Sequence, residues 1–98
     1  MRGGKVDANQ GQIVTTFRDL GAKVAITSDA GGGFPDLVVE YNYPTRGLRT
    51  LLVEIKDGSL SPSRRQLTDA QKVFHSIFSC HIVESVDDVY ELLEINHD

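Results

Sequence analysis

The sequence has little cysteine and no long apolar run. Its one cysteine, Cys80, cannot form a disulfide within the chain, and it stands in an apolar stretch where a buried thiol is expected. No apolar run approaches the roughly 20 residues that a membrane-spanning helix needs. Residues 1–5 lack the apolar stretch of a secretory signal. These absences exclude a disulfide-rich scaffold and a spanning helix, and we expect a cytoplasmic protein.

Acidic residues outnumber basic ones, but the excess lies at one end of the chain. The formal net charge is −4, and residues 84–98 contain six acidic residues with no Lys or Arg. Residues 1–83 therefore carry ten basic and eight acidic residues, a net charge of +2. This larger part of the chain can face a phosphate backbone, although it has no strong basic stripe.

The 98 residues are enough for one small domain, and the alternation of helical and strand patterns predicts an α/β fold. We predict a helix over 8–20, strands over 23–27, 36–41 and 49–56, a second helix after Thr68, a strand over 81–84 and a last helix capped by Ser85. The short turn at 42–47 predicts an antiparallel hairpin, and the helical crossover permits a parallel fourth strand. The expected fold is a mixed four-stranded sheet flanked by helices, with residues 1–6 as a mobile arm.

Each predicted helix carries an apolar stripe. The stripes are Ile13, Val14, Phe17 and Leu20 in the first helix, Val73, Phe74, Ile77 and Phe78 in the second, and Val86, Val89, Tyr90 and Leu93 in the last. Asp7 with Gln10, and Thr68 with Gln71, have the spacing of a helix capping box. These faces leave room for a dimer interface, and the sequence does not indicate which face is used.

The third predicted strand places charged and apolar side chains on opposite faces. Side chains alternate along a strand, so Glu54 and Lys56 share the face opposite the apolar set Leu51, Val53 and Ile55. The hairpin returns Asp36, at the start of the second strand, to the end of the third. We therefore expect Asp36, Glu54 and Lys56 to meet at one edge of the sheet, beside the loop at 31–33.

Two carboxylates and one carbonyl oxygen suit Mg²⁺, which prefers hard oxygen ligands. We expect Asp36, Glu54 and the main-chain carbonyl of Ile55 to bind the ion, which would activate a water against a phosphodiester. Lys56 would hold or help to deprotonate that water. The glycines at 31–33 would let the backbone approach the substrate closely, with Gly32 and Gly33 as DNA contacts.

Each of these residues also has a simpler interpretation. Asp36 follows a proline and could be a turn residue, and Glu54 with Lys56 could be an exposed pair on a solvated face. Gln10 and Gln71 could serve only as capping side chains. Basic side chains that could contact phosphates, but that also fit a solvated surface, are Arg64, Arg65 and Lys72.

Two segments resemble the halves of a nuclease motif. Gly33-Phe34-Pro35-Asp36 followed by Glu54-Ile55-Lys56 is similar to the PD-(D/E)xK motif, and residues 67–71 (LTDAQ) resemble a segment of the virus-type replication-repair nuclease (VRR-NUC) branch. The resemblance spans roughly residues 7–85. It implies a restriction-endonuclease-like core of α-β-β-β-α-β order, to which this chain adds a C-terminal helix.

The resemblance implies a DNA endonuclease that binds Mg²⁺ or Mn²⁺ through Asp36 and Glu54, with Gln71 supporting the metal or water. It also implies a homodimer that cuts branched DNA such as Holliday junctions or flaps, in a bacterial cell and with a phage gene as one source. Gln10 stands where many relatives have a metal-binding glutamate, so it would reach a metal only through a bound water.

Two rival functions remain. One is a non-catalytic DNA-binding module on the same fold, and the other is an interaction protein whose acidic last helix docks on a basic partner.

Overall fold

A computed structural model describes residues 7–96, and the predicted arm at 1–6 lies outside them. Three α-helices and four β-strands follow the predicted α-β-β-β-α-β-α order. They are α1 (Gln10–Asp19), β1 (Lys23–Ile26), β2 (Leu37–Tyr43), β3 (Gly47–Ile55), α2 (Asp69–Ile77), β4 (His81–Val83) and α3 (Val86–Leu92). The loop before α2 also contains a short 3₁₀ helix, Pro62–Arg65, which the sequence reading missed.

The four strands form one mixed sheet in the order β1-β2-β3-β4. The pairs β1–β2 and β2–β3 are antiparallel, and β3–β4 is parallel. Both predicted pairings are thus confirmed. The hairpin turn is tighter than the predicted 42–47, because Tyr43 and Gly47 still pair across the sheet.

One face of the sheet packs against α1 and α3, and this layer is the hydrophobic core. The apolar stripe of α1 and the alternating apolar residues of β3 are buried there with Val89 and Leu93 of the α3 segment. The buried Tyr43 donates a hydrogen bond from its hydroxyl to the carbonyl of Leu92 at 2.9 Å. The core therefore uses the odd-numbered residues of β3 and leaves Glu54 on the other face.

The N-terminus of α1 differs from the prediction. The helix begins at Gln10, and its N-cap is Asn9, whose side chain makes no capping hydrogen bond, so the capping box predicted with Asp7 as N-cap is wrong. The Gln10 side chain instead donates to the hydroxyl of Ser28 at 3.3 Å. In α2 the predicted box is present: Thr68 accepts from the Gln71 backbone, and the Gln71 side chain accepts from the Thr68 backbone.

The second helix carries the predicted apolar stripe, yet no residue of α2 is buried. The helix lies on the sheet face opposite the core, where its Gln71 reaches Glu54. None of the helices within residues 7–96 has the length and apolar character needed to cross a membrane.

The glycine loop before β2 holds α2 close to the sheet. Gly31, Gly32 and Gly33 have φ values of 74°, 64° and 83°, a region that side chains disfavour. A Cβ on Gly33 would overlap the backbone carbonyl of Ala70, in the first turn of α2, whereas a Cβ on Gly32 would meet open space. Gly33 is therefore needed for close packing as well as for backbone conformation.

This difference predicts unequal costs for two matched substitutions. Gly32→Ala should lower the free energy of unfolding by about 1–2 kcal/mol, the cost of a left-handed alanine. Gly33→Ala should cost more, because it adds the clash with Ala70 to the same backbone strain. Chemical denaturation of both variants measures the difference. Equal losses in the free energy of unfolding would contradict the claim that the close approach of Gly33 to Ala70 requires a glycine.

Candidate active site

The hairpin brings Asp36 to the end of β3, as predicted. Leu37 pairs with Val53, so the residue before β2 lies beside the residues after Val53. Asp36 Oδ2 accepts a hydrogen bond of 2.8 Å from the backbone N–H of Ile55. Asp36 is thus fixed to the end of β3 by its side chain, a contact that reaches beyond the turn in which it stands.

Glu54, at 2% exposure, is the one Asp, Glu, Lys, Arg or His residue among those described that is buried. Its Oε2 accepts a 2.9 Å hydrogen bond from Gln71 Nε2 and lies 3.6 Å from Lys56 Nζ. Its Oε1 is buried and receives no hydrogen bond from residues 7–96. The alternative of an exposed pair on a solvated sheet face is therefore excluded.

Burial raises the pKa of Glu54 to about 8, and the neighbouring Asp36 carboxylate acts in the same direction. The positive charge of Lys56 opposes this rise. Because Asp36 raises the cost of ionising Glu54, the two carboxylates lie close enough to hold one cation between them.

Lys56 and Gln71 complete the cluster. Lys56 Nζ donates to Gln71 Oε1 at 2.9 Å, and the same oxygen accepts from the backbone N–H of Thr68 at 2.9 Å. Because the Gln71 oxygen accepts from both of these donors, the nitrogen of the same side-chain amide points toward Glu54 and donates to it. The capping role and the site contact of Gln71 therefore coexist.

The cluster opens into a cavity of about 390 Å³. Its walls are Asp36, Glu54, Lys56 and Gln71 together with the glycine loop, the 3₁₀ helix end and the N-terminus of α2. Asp7, Ser28 and Gln66 also line it. The sequence predicted only a capping role for Asp7 and no role for Ser28 or Gln66, because the three come from different loops and no local pattern joins them to the site.

The basic residues predicted to contact DNA are distributed unevenly. Arg64 lines the cavity and is exposed. Arg65 instead forms a 3.0 Å ion pair with Glu84 and donates to the carbonyl of Leu60. Lys72 is exposed on α2. Among the three, Arg64 is placed best to meet a substrate at the carboxylates.

Neither Gln10 nor Asn9 lines the cavity. Gln10 donates a hydrogen bond to Ser28, and Ser28 is a lining residue. Asn9 Nδ2 donates to the backbone carbonyls of Lys56 at 3.3 Å and Glu84 at 3.2 Å. Asn9 thus ties the start of α1 to the ends of β3 and β4, a role that its position before a helix did not reveal.

The donor set fits one hard divalent cation held by two carboxylates. The buried, unbonded Oε1 of Glu54 is an acceptor that lacks a donor, and Asp36 supplies a second carboxylate beside it. Within residues 7–96 there is no group of three or more His, Cys, Asp or Glu residues placed to hold an ion. A backbone oxygen, such as the predicted carbonyl of Ile55, and waters would have to complete the coordination.

Comparisons with protein-family models, with curated proteins and with solved structures give no match. The resemblance to the VRR-NUC branch thus depends on the motif residues themselves and stays a prediction.

The raised pKa of Glu54 predicts that the metal-free protein loses stability as the pH rises toward 8, whereas an ordinary paired carboxylate makes a protein more stable as the pH rises. A glutamate whose folded pKa is raised stabilises the fold below its unfolded value and loses that contribution as the pH rises to about 8. Asp36→Asn removes the charge that raises the pKa of Glu54, so the variant should lose less stability than wild type between pH 5 and pH 8.

Unfolding temperatures in a chelating buffer measure this effect. Burial lowers the pKa of His75, so this residue makes the stability rise with pH below the ordinary histidine pKa, opposite to the effect of Glu54. Because wild type and Asp36→Asn share His75, the difference between their unfolding temperatures isolates the effect of Asp36 on Glu54. Asp19→Asn, at the exposed end of α1, is the control and should follow wild type. Parallel curves for wild type and Asp36→Asn would contradict the coupling.

Proposed function

We propose that this protein is a metal-dependent endonuclease that hydrolyses DNA phosphodiester bonds. The observation that carries the proposal is the convergence of Asp36, Glu54 and Lys56 on one cavity, two carboxylates and one ammonium group, at the end of a single hairpin. Such a set can hold a divalent cation and stabilise negative charge on a phosphate.

Asp36, Glu54 and the carbonyl of Ile55 would hold Mg²⁺ or Mn²⁺. The ion would supply Lewis-acid polarisation of the phosphate and a bound water of lowered pKa. Glu54 must be ionised to bind it, so metal binding would release the proton that the raised pKa retains near neutral pH.

The chain's own residues orient the attacking water and the phosphate. The Gln71 side chain accepts a hydrogen bond from Lys56 and donates one to Glu54. The uncharged amide therefore holds the ammonium group beside the carboxylate, and the ammonium group keeps its positive charge for the substrate. Lys56 can then donate to a water or to a phosphate oxygen within the cavity. Arg64, at the cavity wall, is placed to bind a neighbouring phosphate, with Lys72 and the glycine loop as further contacts.

The resemblance and the depth of Glu54 both support a proposal for the substrate class. Glu54 is recessed, so a phosphate must project toward it, which is easier at a distorted or branched site than in a regular duplex. We propose Holliday junctions or flaps as substrates, a homodimer as the active form and the cytoplasm of a bacterial cell as the location. Two sites related by a twofold axis suit paired cuts.

Cleavage of four-way junctions, flaps and duplexes with Mg²⁺ or Mn²⁺ tests the activity. Asp36→Asn, Glu54→Gln and Lys56→Ala should each lower the rate by at least about 10²-fold, because each removes a charge from the reacting centre. Arg49→Ala, an exposed arginine on the far part of β3, is the control and should cut like wild type. If the wild type binds metal and DNA but cuts none of these substrates, the result would contradict the proposed enzyme activity and favour the non-catalytic DNA-binding module.

The two roles of Gln71 can be separated by a matched pair of variants. Thr68→Ala removes the capping hydroxyl, and Gln71→Ala removes both the cap contact and the amide between Glu54 and Lys56. Each should lower the free energy of unfolding by about 1 kcal/mol. Cleavage by Gln71→Ala should fall well below that by Thr68→Ala at a temperature where both are folded, and equal rates would reduce Gln71 to a capping residue.

A further inference from the structure

Three aromatic rings form a short row beside the candidate active site. The ring centroids of Phe34 and Phe74 lie 5.2 Å apart in an edge arrangement, with an interplanar angle of 70°. Phe74 packs in turn on Phe78, with 4.6 Å between the centroids. Because one ring of an edge pair presents its rim, Phe74 can cover at most one of the two faces of Phe34. Phe34 is half-buried, and it is the ring of the three that lines the cavity.

Local contacts fix the backbone that carries the Phe34 ring. The Phe34 N–H donates to the carbonyl of Gly31 at 3.1 Å, which closes the turn of the glycine loop. Pro35 follows, and a proline disfavours the helical conformation for the residue before it. Asp36 is the next residue along the chain, so the ring and one carboxylate of the site come from one short segment and line one cavity.

Two polar side chains on the cavity wall make no hydrogen bond or ion pair with residues 7–96. They are Arg64 and Gln66, and both are exposed. The wall therefore offers an apolar ring, a free cation and a free amide that can both donate and accept. The cavity volume of about 390 Å³ falls in the range of pockets that hold organic ligands.

This combination fits a nucleotide better than it fits a bare phosphate. A nucleobase is flat, so one of its faces can stack on an aromatic ring, and its edge carries donors and acceptors that an amide can meet. A base inside a continuous duplex has both faces covered by its neighbours. The Phe34 ring therefore favours a base that is unpaired and has left the stack.

We propose that Phe34 is a specificity-determining residue that stacks on an unpaired base next to the phosphate bound at Asp36 and Glu54. Arg64 and Gln66 are the polar contacts for the same nucleotide. The inference rests on the proposed nuclease function, and it narrows the substrate to DNA that offers an unpaired nucleotide, such as a flap or an opened branch point.

Binding of single-stranded oligonucleotides in a chelating buffer tests the stacking without cleavage. Two probes of equal length and phosphate number are compared at one salt concentration, one made of thymidine nucleotides and the other abasic. Wild type should bind the thymidine probe about tenfold more tightly, the effect of one stack between a base and an aromatic side chain. Phe34→Leu should bind both probes equally, and Phe34→Tyr, which keeps a ring, should retain the preference.

Phe78→Leu is the matched control, because Phe78 belongs to the same row of rings but does not line the cavity. This variant should keep the preference of wild type. Comparing two probes on one variant separates stacking from a structural role of Phe34, since a loss of folded protein weakens both probes alike. If circular dichroism shows that Phe34→Leu does not fold, Phe34→Met replaces it, because methionine adapts to irregular gaps and has no ring.

Three binding results would each overturn the proposal. They are a wild type without preference for the thymidine probe, a folded Phe34→Leu or Phe34→Met that keeps the preference, and a Phe78→Leu that loses it.

Cleavage assays distinguish a failure of the stacking from a failure of the proposed function. If wild type cuts flaps with Mg²⁺, it should cut a flap with a normal base at the branch faster than the same flap with an abasic nucleotide there. Phe34→Leu should remove that difference. Equal cleavage of both flaps by wild type would refute the stacking and leave the nuclease proposal intact. A wild type that cuts nothing would refute the nuclease proposal, and the binding preference would still decide the role of Phe34.

Discussion

The burial of the Glu54 carboxylate is the constraint around which the rest of the site is arranged. An ionised carboxylate at that depth loses most of its hydration and needs hydrogen bonds or opposite charge in return. Gln71 supplies a hydrogen bond and Lys56 supplies charge, but one oxygen is left without a donor. The capping box of α2, the close approach at Gly33 and the hairpin that delivers Asp36 all serve to bring these partners to one buried group.

Much of this arrangement could be predicted from short-range patterns. The period-two alternation of β3 separated Glu54 from the core residues, and the short turn before β3 placed Asp36 near its end. The capping signature of Thr68 and Gln71 located the start of α2 correctly. These features depend on residues a few positions apart or joined by one hairpin, which is the range over which sequence patterns are informative.

Other features depend on contacts that no local pattern encodes. Asn9 bonds residues that are 47 and 75 positions away, so its role could not be distinguished from that of an ordinary residue before a helix. Gln10 had the spacing of a capping side chain but bonds Ser28 instead. An apolar stripe indicates that a helix face avoids water, but it does not say whether the same chain covers that face, and residues 7–96 leave Val73 and Ile77 of α2 exposed.

The placement of α3 and α2 on opposite sides of the sheet has an electrostatic consequence. The helix α3 contains acidic side chains such as Asp87 and Glu91 and no basic one, whereas Arg64 and Lys72 lie on the cavity side of the sheet. Glu94 also follows α3, but Arg46 pairs with it at 3.0 Å. A polyanion that approached the α3 side would therefore be repelled by this helix, and its approach would be less unfavourable from the side of the cavity.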